Sequence, residues 1–253
     1  MKNKLEGSNM TKNRIHLLLV FALFFTNAVM ASADDIPVPK HLDLGRSLVA
    51  ALSPENTSYR HQGWVVWKGD FLASQYKAHT DCSGLINSLL ERAESPSFIR
   101  LKMVARHGRP RVDDYYSLIS HQDGFKRINA LTEVLPGDII AVKYPPGEED
   151  TGHIMLVDTK PVLRKKDTKP MVEGTKQWEV TIIDSSKSPH GKSDTRQNKD
   201  GSKRDGVGRG IVRLYSNEHD EPVGYSWSTA SSSHVHVSTT RPIVIGRPIT
   251  RAL

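Results

Sequence analysis

The sequence predicts an α+β fold, and three observations predict it. Apolar residues in the first half recur at helical spacing. The second half carries short apolar runs separated by turn residues. Over 253 positions, 37% apolar and 25% charged residues describe a globular chain, not a disordered or repetitive one. Helices followed by strands suggest helices packed on a small antiparallel sheet.

The first segment reads as targeting. Lys12 and Arg14 precede nine apolar residues, Leu17 to Phe25, and Ala31-Ser32-Ala33 supplies a small-residue cleavage pattern. Nine apolar residues fall short of the ~20 that span a bilayer. Residues 1–33 are therefore expected to be a signal peptide, cut after Ala33 with Ala31 as the alternative. Residues 34–253 are left as a single exported domain, periplasmic or secreted, without stable membrane insertion.

Leu44, Leu48, Ala51 and Leu52 repeat at helical spacing, and Ser53-Pro54 ends that helix. Cys82, Leu85, Ile86, Leu89 and Ala93 form one face of a second helix, with Thr80 and Asp81 as capping residues. Val112, Tyr115, Tyr116 and Ile119 suggest a third, with Asp113 and Asp114 in its first turn. The turn Pro136-Gly137-Asp138 then leads into the apolar run Ile139 to Val142. Strand-like runs follow at Gly152 to Val157, Trp178 to Asp184, Gly210 to Tyr215, Val223 to Trp227 and Pro242 to Ile245. Lys160 to Thr175 and Ser185 to Arg209 are polar, and both read as loops or lids.

The formal charge is +7, but the 7% aromatic content shows no aromatic–basic repeat, so no nucleic-acid partner is expected. A single cysteine excludes an internal disulfide framework and any Cys-rich metal site. No cofactor and no metal are expected. In an exported protein that cysteine is an unpaired thiol. Cys82 opens a helix, where unpaired backbone N–H groups stabilise a thiolate and can hold a developing oxyanion. A structural cysteine on the helix core face is the plain alternative.

A thiolate nucleophile needs a base and a group to orient that base. His153 begins the apolar face formed by Met155 and Val157. Asp184 ends the face formed by Val180 and Ile182. Antiparallel pairing of these two strands would set Asp184 beside His153, giving catalytic candidates Cys82, His153 and Asp184.

Asp81-Cys82-Ser83-Gly84-Leu85, Pro136-Gly137-Asp138-Ile139-Ile140, Gly152-His153-Ile154 and Ile183-Asp184 together resemble the NlpC-type cysteine peptidases. The resemblance spans roughly residues 64–186. It implies a papain-like core, no cofactor, and hydrolysis of peptide bonds in bacterial peptidoglycan. The third position, often histidine in that family, is aspartate here. A thiol acyl-ester hydrolase or acyltransferase on the same core is an alternative. So is a non-catalytic envelope module that binds peptidoglycan or an anionic surface through basic loops.

Residues 185–213 hold eight Lys/Arg and three Asp, and Arg100 to Arg111 adds five cations. The expectation is a basic loop at 185–209 over the cleft, holding substrate carboxylates. Arg196 and Arg209 are the candidate binding residues, because Arg pairs bidentately with carboxylates. His190 and Tyr76 are further candidates, and His190 is an alternative to Asp184 or His153 in the chemistry. Gly206, Gly208 and Gly210 lack the Lys-Ser/Thr of a phosphate loop. His234 and His236 have no third ligand nearby and read as a solvated edge.

Overall fold

A computed structural model describes residues 37–198 and 200–249. The expected signal peptide, residues 1–33, lies outside the described residues. Helix α1 (Lys40–Ala51) follows Pro39 and buries His41, Leu42, Gly45 and Leu48. Its inward face is thus turned from the one read in the sequence: Leu44 is half-buried and Ala51 is exposed. Three short strands come next, β1 (Thr57–Ser58), β2 (Trp64–Val66) and β3 (Lys77–His79). They form a small sheet in the order β1-β3-β2.

Helix α2 (Cys82–Arg92) begins at the expected residue. Its cap is Asp81, whose Oδ1 accepts the Gly84 N–H at 2.8 Å. Such a cap satisfies one of the orphan donors of the first turn. Helix α3 (Pro96–Val104) is absent from the sequence reading. It buries Ser97, Phe98 and Leu101 yet exposes Ile99 and Met103, so apolar residues lie all round and blur the helical period. Its start signal, Ser95 followed by Pro96 at the first turn, is the usual one. Helix α4 (Val112–Ser120) carries Asp113 and Asp114 in its first turn, as expected.

The remaining strands are β4 (Phe125–Ile128), β5 (Ile139–Lys143), β6 (Gly152–Val157), β7 (Val162–Leu163), β8 (Lys176–Ser186), β9 (Gly206–Ser216), β10 (Pro222–Ser226), β11 (Val235–Val237) and β12 (Ile243–Pro248). They build a nine-stranded sheet in the order β11-β10-β9-β8-β6-β5-β12-β4, with β7 added on β8. Every pairing in it is antiparallel. The fold is therefore α+β, but the sheet is large where a small one was expected.

Both faces of the sheet are buried, which is why its central strands read as unbroken apolar runs. On one face Ile139, Ala141, Ile154, Leu156 and Ile183 pack against all four helices. On the other, Ile140, Val142, Met155, Val157, Val180, Ile182, Val212, Leu214, Tyr225 and Ile245 form a second core. Among the described residues no α-helix contributes to that second core. Strands β4, β5, β6, β8, β9, β10 and β12 supply it with Leu131 and Val134, and β10 returns against β12 as the sheet curls.

The polar stretch 185–209 is not one loop. Ser185 and Ser186 finish β8, and Gly206 to Arg209 begin β9. Only residues 187–205 connect the strands, and they do not form an open lid. Pro189, His190, Asp194 and Arg196 within this connection are buried.

Candidate active site

Antiparallel pairing of β6 and β8 sets Leu156 opposite Ile183 and Val157 opposite Ile182. Alternation then places His153 and Asp184 on the same face, at the end of the curled core nearest α2. Gly152 precedes His153 for a steric reason. A Cβ there would collide with the Val142 carbonyl and come within 2.8 Å of Val112 Cγ1. The segment before α2 is tied to β8 by Ser185 Oγ, which donates to the Thr80 carbonyl at 2.6 Å. These contacts bring Cys82, His153 and Asp184 together from three distant parts of the chain.

His153 Nε2 donates to Asp184 Oδ2 at 2.7 Å. The Cys82 sulfur is near enough to the same ring to act on its charge, and Nδ1 is the nitrogen that Asp184 does not engage. All three residues are buried, with Cys82 4%, His153 5% and Asp184 0% exposed. Burial opposes a charge on His153. The Cys82 thiolate and the hydrogen bond to Asp184 outweigh it and push the imidazole up to about 9. Burial likewise opposes ionisation of Asp184, but Arg196, His190 and His153 hold its carboxyl well below the usual range. The arrangement holds His153 between a sulfur and a carboxylate, both of which favour its charged form.

Asp184 is shared further. His190 Nε2 lies 2.8 Å from the same Oδ2. Arg196 Nη2 stands 2.9 Å from Oδ1 as an ion-pair contact, without hydrogen-bond alignment. Arg196 is held in turn by Asp194, through Nε to Oδ1 at 2.9 Å and Nη2 to Oδ2 at 2.7 Å. Trp227 packs its indole on His190 at 4.1 Å between centroids and on His153 at 4.8 Å.

Glycines on β9 make room for this network. A Cβ at Gly208 would run into the Arg196 side chain, and one at Gly210 into the Asp194 carboxylate and His190 Cβ. The spaced glycines are a trough for buried ionic side chains. Gly210→Ala is expected to destabilise the fold by about 1–3 kcal/mol through overpacking. Thermal unfolding checks this, at roughly 2–4 °C per kcal/mol for a domain of this size. An unchanged Tm would show that the close fit is dispensable.

A cleft of about 280 Å³ opens on Cys82, lined by Tyr59, His61, Arg109, Arg111, Glu149 and Asp150 among others. Arg109 is tied to Asp81, through Nη1 to Oδ1 at 3.0 Å and a closer Nη2 contact to Oδ2. Asn87 of α2 donates to the Pro110 carbonyl at 2.9 Å, which fixes the strap carrying Arg109 and Arg111. Among the described residues Arg111 makes no ion pair, so it is the guanidinium available to a ligand. His61 lies 3.5 Å from both Asp81 and Asp150. Burial, with negative charge at Cys82, Asp150 and Asp81, pushes the Tyr59 phenol well above its ordinary value. Tyr59 therefore stays an O–H donor beside the thiol.

The expected substrate-binding residues are elsewhere. Arg196 is fully buried on Asp184 and Asp194, so it meets no substrate. Arg209 pairs with Asp158 at 2.5 Å, alongside Arg46 at 2.7 Å, away from the cleft lining. His190 is buried behind Asp184. Tyr76 packs edge-on against Trp67 at 6.2 Å and does not line the cleft. For Arg196 and His190 the cause is that clustered polar residues were read as solvated, whereas here they satisfy one another in the interior. Tyr59, Arg109, Arg111 and Trp227 were the residues missed. Asp81 beside Cys82 was a usable signal, since a buried N-cap carboxylate needs a cation.

One atom each of His153, Asp184 and His190 lies within 4.8 Å of the others, the spacing of a three-ligand metal site. The donor chemistry fits poorly. Both Nε2 atoms point at one carboxylate oxygen, and Arg196 already places a positive charge beside the other. His234 and His236 pack edge-on at 4.9 Å, and His236 stacks on Tyr225.

No family model matches the sequence. No solved structure matches either. A relative in Acanthamoeba polyphaga mimivirus, "Uncharacterized protein R653", is 36% identical over 219 residues, covering 83% of this chain and 96% of its own length. At that identity and coverage, the chain belongs to the family of this mimivirus protein.

Proposed function

We propose that the protein is an exported thiol hydrolase with a papain-like arrangement of groups, acting on an amide bond in peptidoglycan. One observation carries the reading. A buried cysteine at a helix N-terminus faces a histidine whose far nitrogen is held by a buried carboxylate. The D-C-S-G, G-D and G-H segments, in the order found in NlpC-type peptidases, support the same reading. Export rests on the sequence of residues 1–33. Among the described residues no helix is long and apolar enough to cross a membrane.

In this reading the Cys82 thiolate adds to the acyl carbon and forms a C–S bond. The helix leaves the N–H groups of Cys82 and Ser83 without intrahelical acceptors, and with the Tyr59 O–H they hold the oxyanion. His153 gives its proton to the departing amine as the C–N bond breaks. Water then attacks the thioester, with His153 as base, and the thiolate is restored. Arg111 on the cleft wall suits the free carboxylates of stem peptides.

The test is digestion of purified peptidoglycan, with new amino groups and fragment masses as the readout. The protein should release fragments, and Cys82→Ala should lower the rate by at least ~10³-fold with unchanged circular dichroism. Equal release by both proteins would overturn the reading. Turnover confined to ester substrates would replace the amide by an acyl ester.

A further inference from the structure

We infer that His190 carries a fixed positive charge, an imidazolium behind Asp184 that sets how strongly the carboxylate acts on His153. The observation is geometric. His190 Nδ1 lies 2.7 Å from the Trp227 carbonyl oxygen, which can only accept. His190 Nε2 lies 2.8 Å from Asp184 Oδ2, an ionised carboxylate that can also only accept. A neutral imidazole has one N–H and one bare nitrogen. It would set a lone pair directly against one of these oxygens, at under 3 Å. Two acceptors require two N–H donors.

The surroundings agree. The residue is 1% exposed. Its backbone N–H donates to Asp194 Oδ2 at 2.7 Å, so a second carboxylate stands close by. Its ring lies over the Trp227 indole at 4.1 Å, a favourable place for a cation. The charged groups around it are Asp184 and Asp194 on one sign, Arg196 and the imidazolium form of His153 on the other. With His190 charged, the two carboxylates balance His190 and Arg196.

His190 is therefore a positioning residue. It does not line the cleft on Cys82 and acts through Asp184. A carboxylate given wholly to His153 would hold that imidazolium too firmly, and an acid that keeps its proton is a poor donor to a leaving amine. Sharing Oδ2 between two rings moderates this. The consequence for catalysis rests on the thiol-hydrolase reading; the charge on His190 does not.

The experiment is ring-nitrogen NMR of the ¹⁵N-histidine-labelled protein across pH, with His190→Gln beside it. Both His190 nitrogens should carry a proton in the folded protein at pH 7. Gln keeps a donor toward Asp184 but removes the charge, about 6.4 Å from the His153 ring. The pH at which His153 loses its second proton should then rise by about one unit, with iodoacetamide alkylation of Cys82 shifting in the same direction. A bare His190 nitrogen at pH 7 in the unaltered protein would overturn the inference, even if the Gln variant fails to fold. So would a His153 titration that Gln leaves unmoved. Failure of the thiol-hydrolase reading looks different. The unaltered protein would then show alkylation indifferent to His153→Ala, while the His190 signals still decide the charge.

Discussion

Asp184→Ala is expected to lower the unfolding free energy by about 3–5 kcal/mol, the cost of stripping one partner from a buried ionic group. Total stability of a domain is roughly 5–15 kcal/mol, so a large share of that stability is lost. The reason is the company Asp184 keeps. Arg196 stands at one oxygen, and His153 and His190 both point at the other, all within 2.9 Å and all buried. Removing the carboxylate leaves three donors facing each other. Asp184→Asn separates structure from chemistry, because it keeps the volume and removes the charge. The amide still accepts one N–H through its oxygen, but its NH₂ opposes a donor on the other side. Turnover should fall by ~10³–10⁴-fold as His153 loses its orientation, with a smaller loss of stability. Urea unfolding and turnover on the same preparations check both numbers. Full turnover at reduced stability would make Asp184 a structural ion only.

The Ala variant should also move the acid limb of stability. Asp184 has a folded value held well below its unfolded one. Its contribution is therefore present above the unfolded value and is lost as pH falls through the folded one. Acid unfolding of Asp184→Ala should lack that component.

The site's three central residues were legible because each obeys a local rule. Cys82 begins a periodic apolar face behind a capping aspartate. His153 and Asp184 break the alternation of two strands that pair as antiparallel neighbours. Strand alternation carries information about faces, so a misplaced polar residue on an apolar face stands out. What surrounds them was not legible. The residues from Ser185 to Arg209 are hydrophilic and rich in glycine, and pattern reading equates that with solvent. The fold instead buries Arg196, Asp194 and His190 as a mutually satisfied cluster on β9 glycines. Nothing in sequence spacing distinguishes an Arg–Asp pair that is buried from one that is solvated. Helix α3 was lost for the opposite reason, since exposed Ile99 and Met103 give it no polar face. The large sheet was hidden too. Its curl covers its own inner face without helices, and the helix–strand order does not encode that.

His153→Ala is expected to slow alkylation of Cys82 at pH 7 by about 10–30-fold. A free thiol is only a few per cent thiolate at that pH, and a neighbouring imidazole that can take the proton raises the reactive fraction. Turnover should fall further, by at least ~10³-fold, because the leaving group also loses its proton donor. The pH dependence fixes the sign. His153 is pushed up to about 9 in the folded protein, against ~6.5 for an unperturbed imidazole. A raised value means that its stabilising contribution is fully present below about pH 6.5 and is lost as pH rises through about 9. Thermal stability should decline across that window in the unaltered protein. In Cys82→Ala the decline should shrink, because the thiolate supplies the largest part of the upward push. Alkylation rates and melting curves between pH 6 and 10 report the two consequences separately. A thiol equally reactive with and without His153, in a protein whose stability ignores this window, would leave Cys82 a core residue.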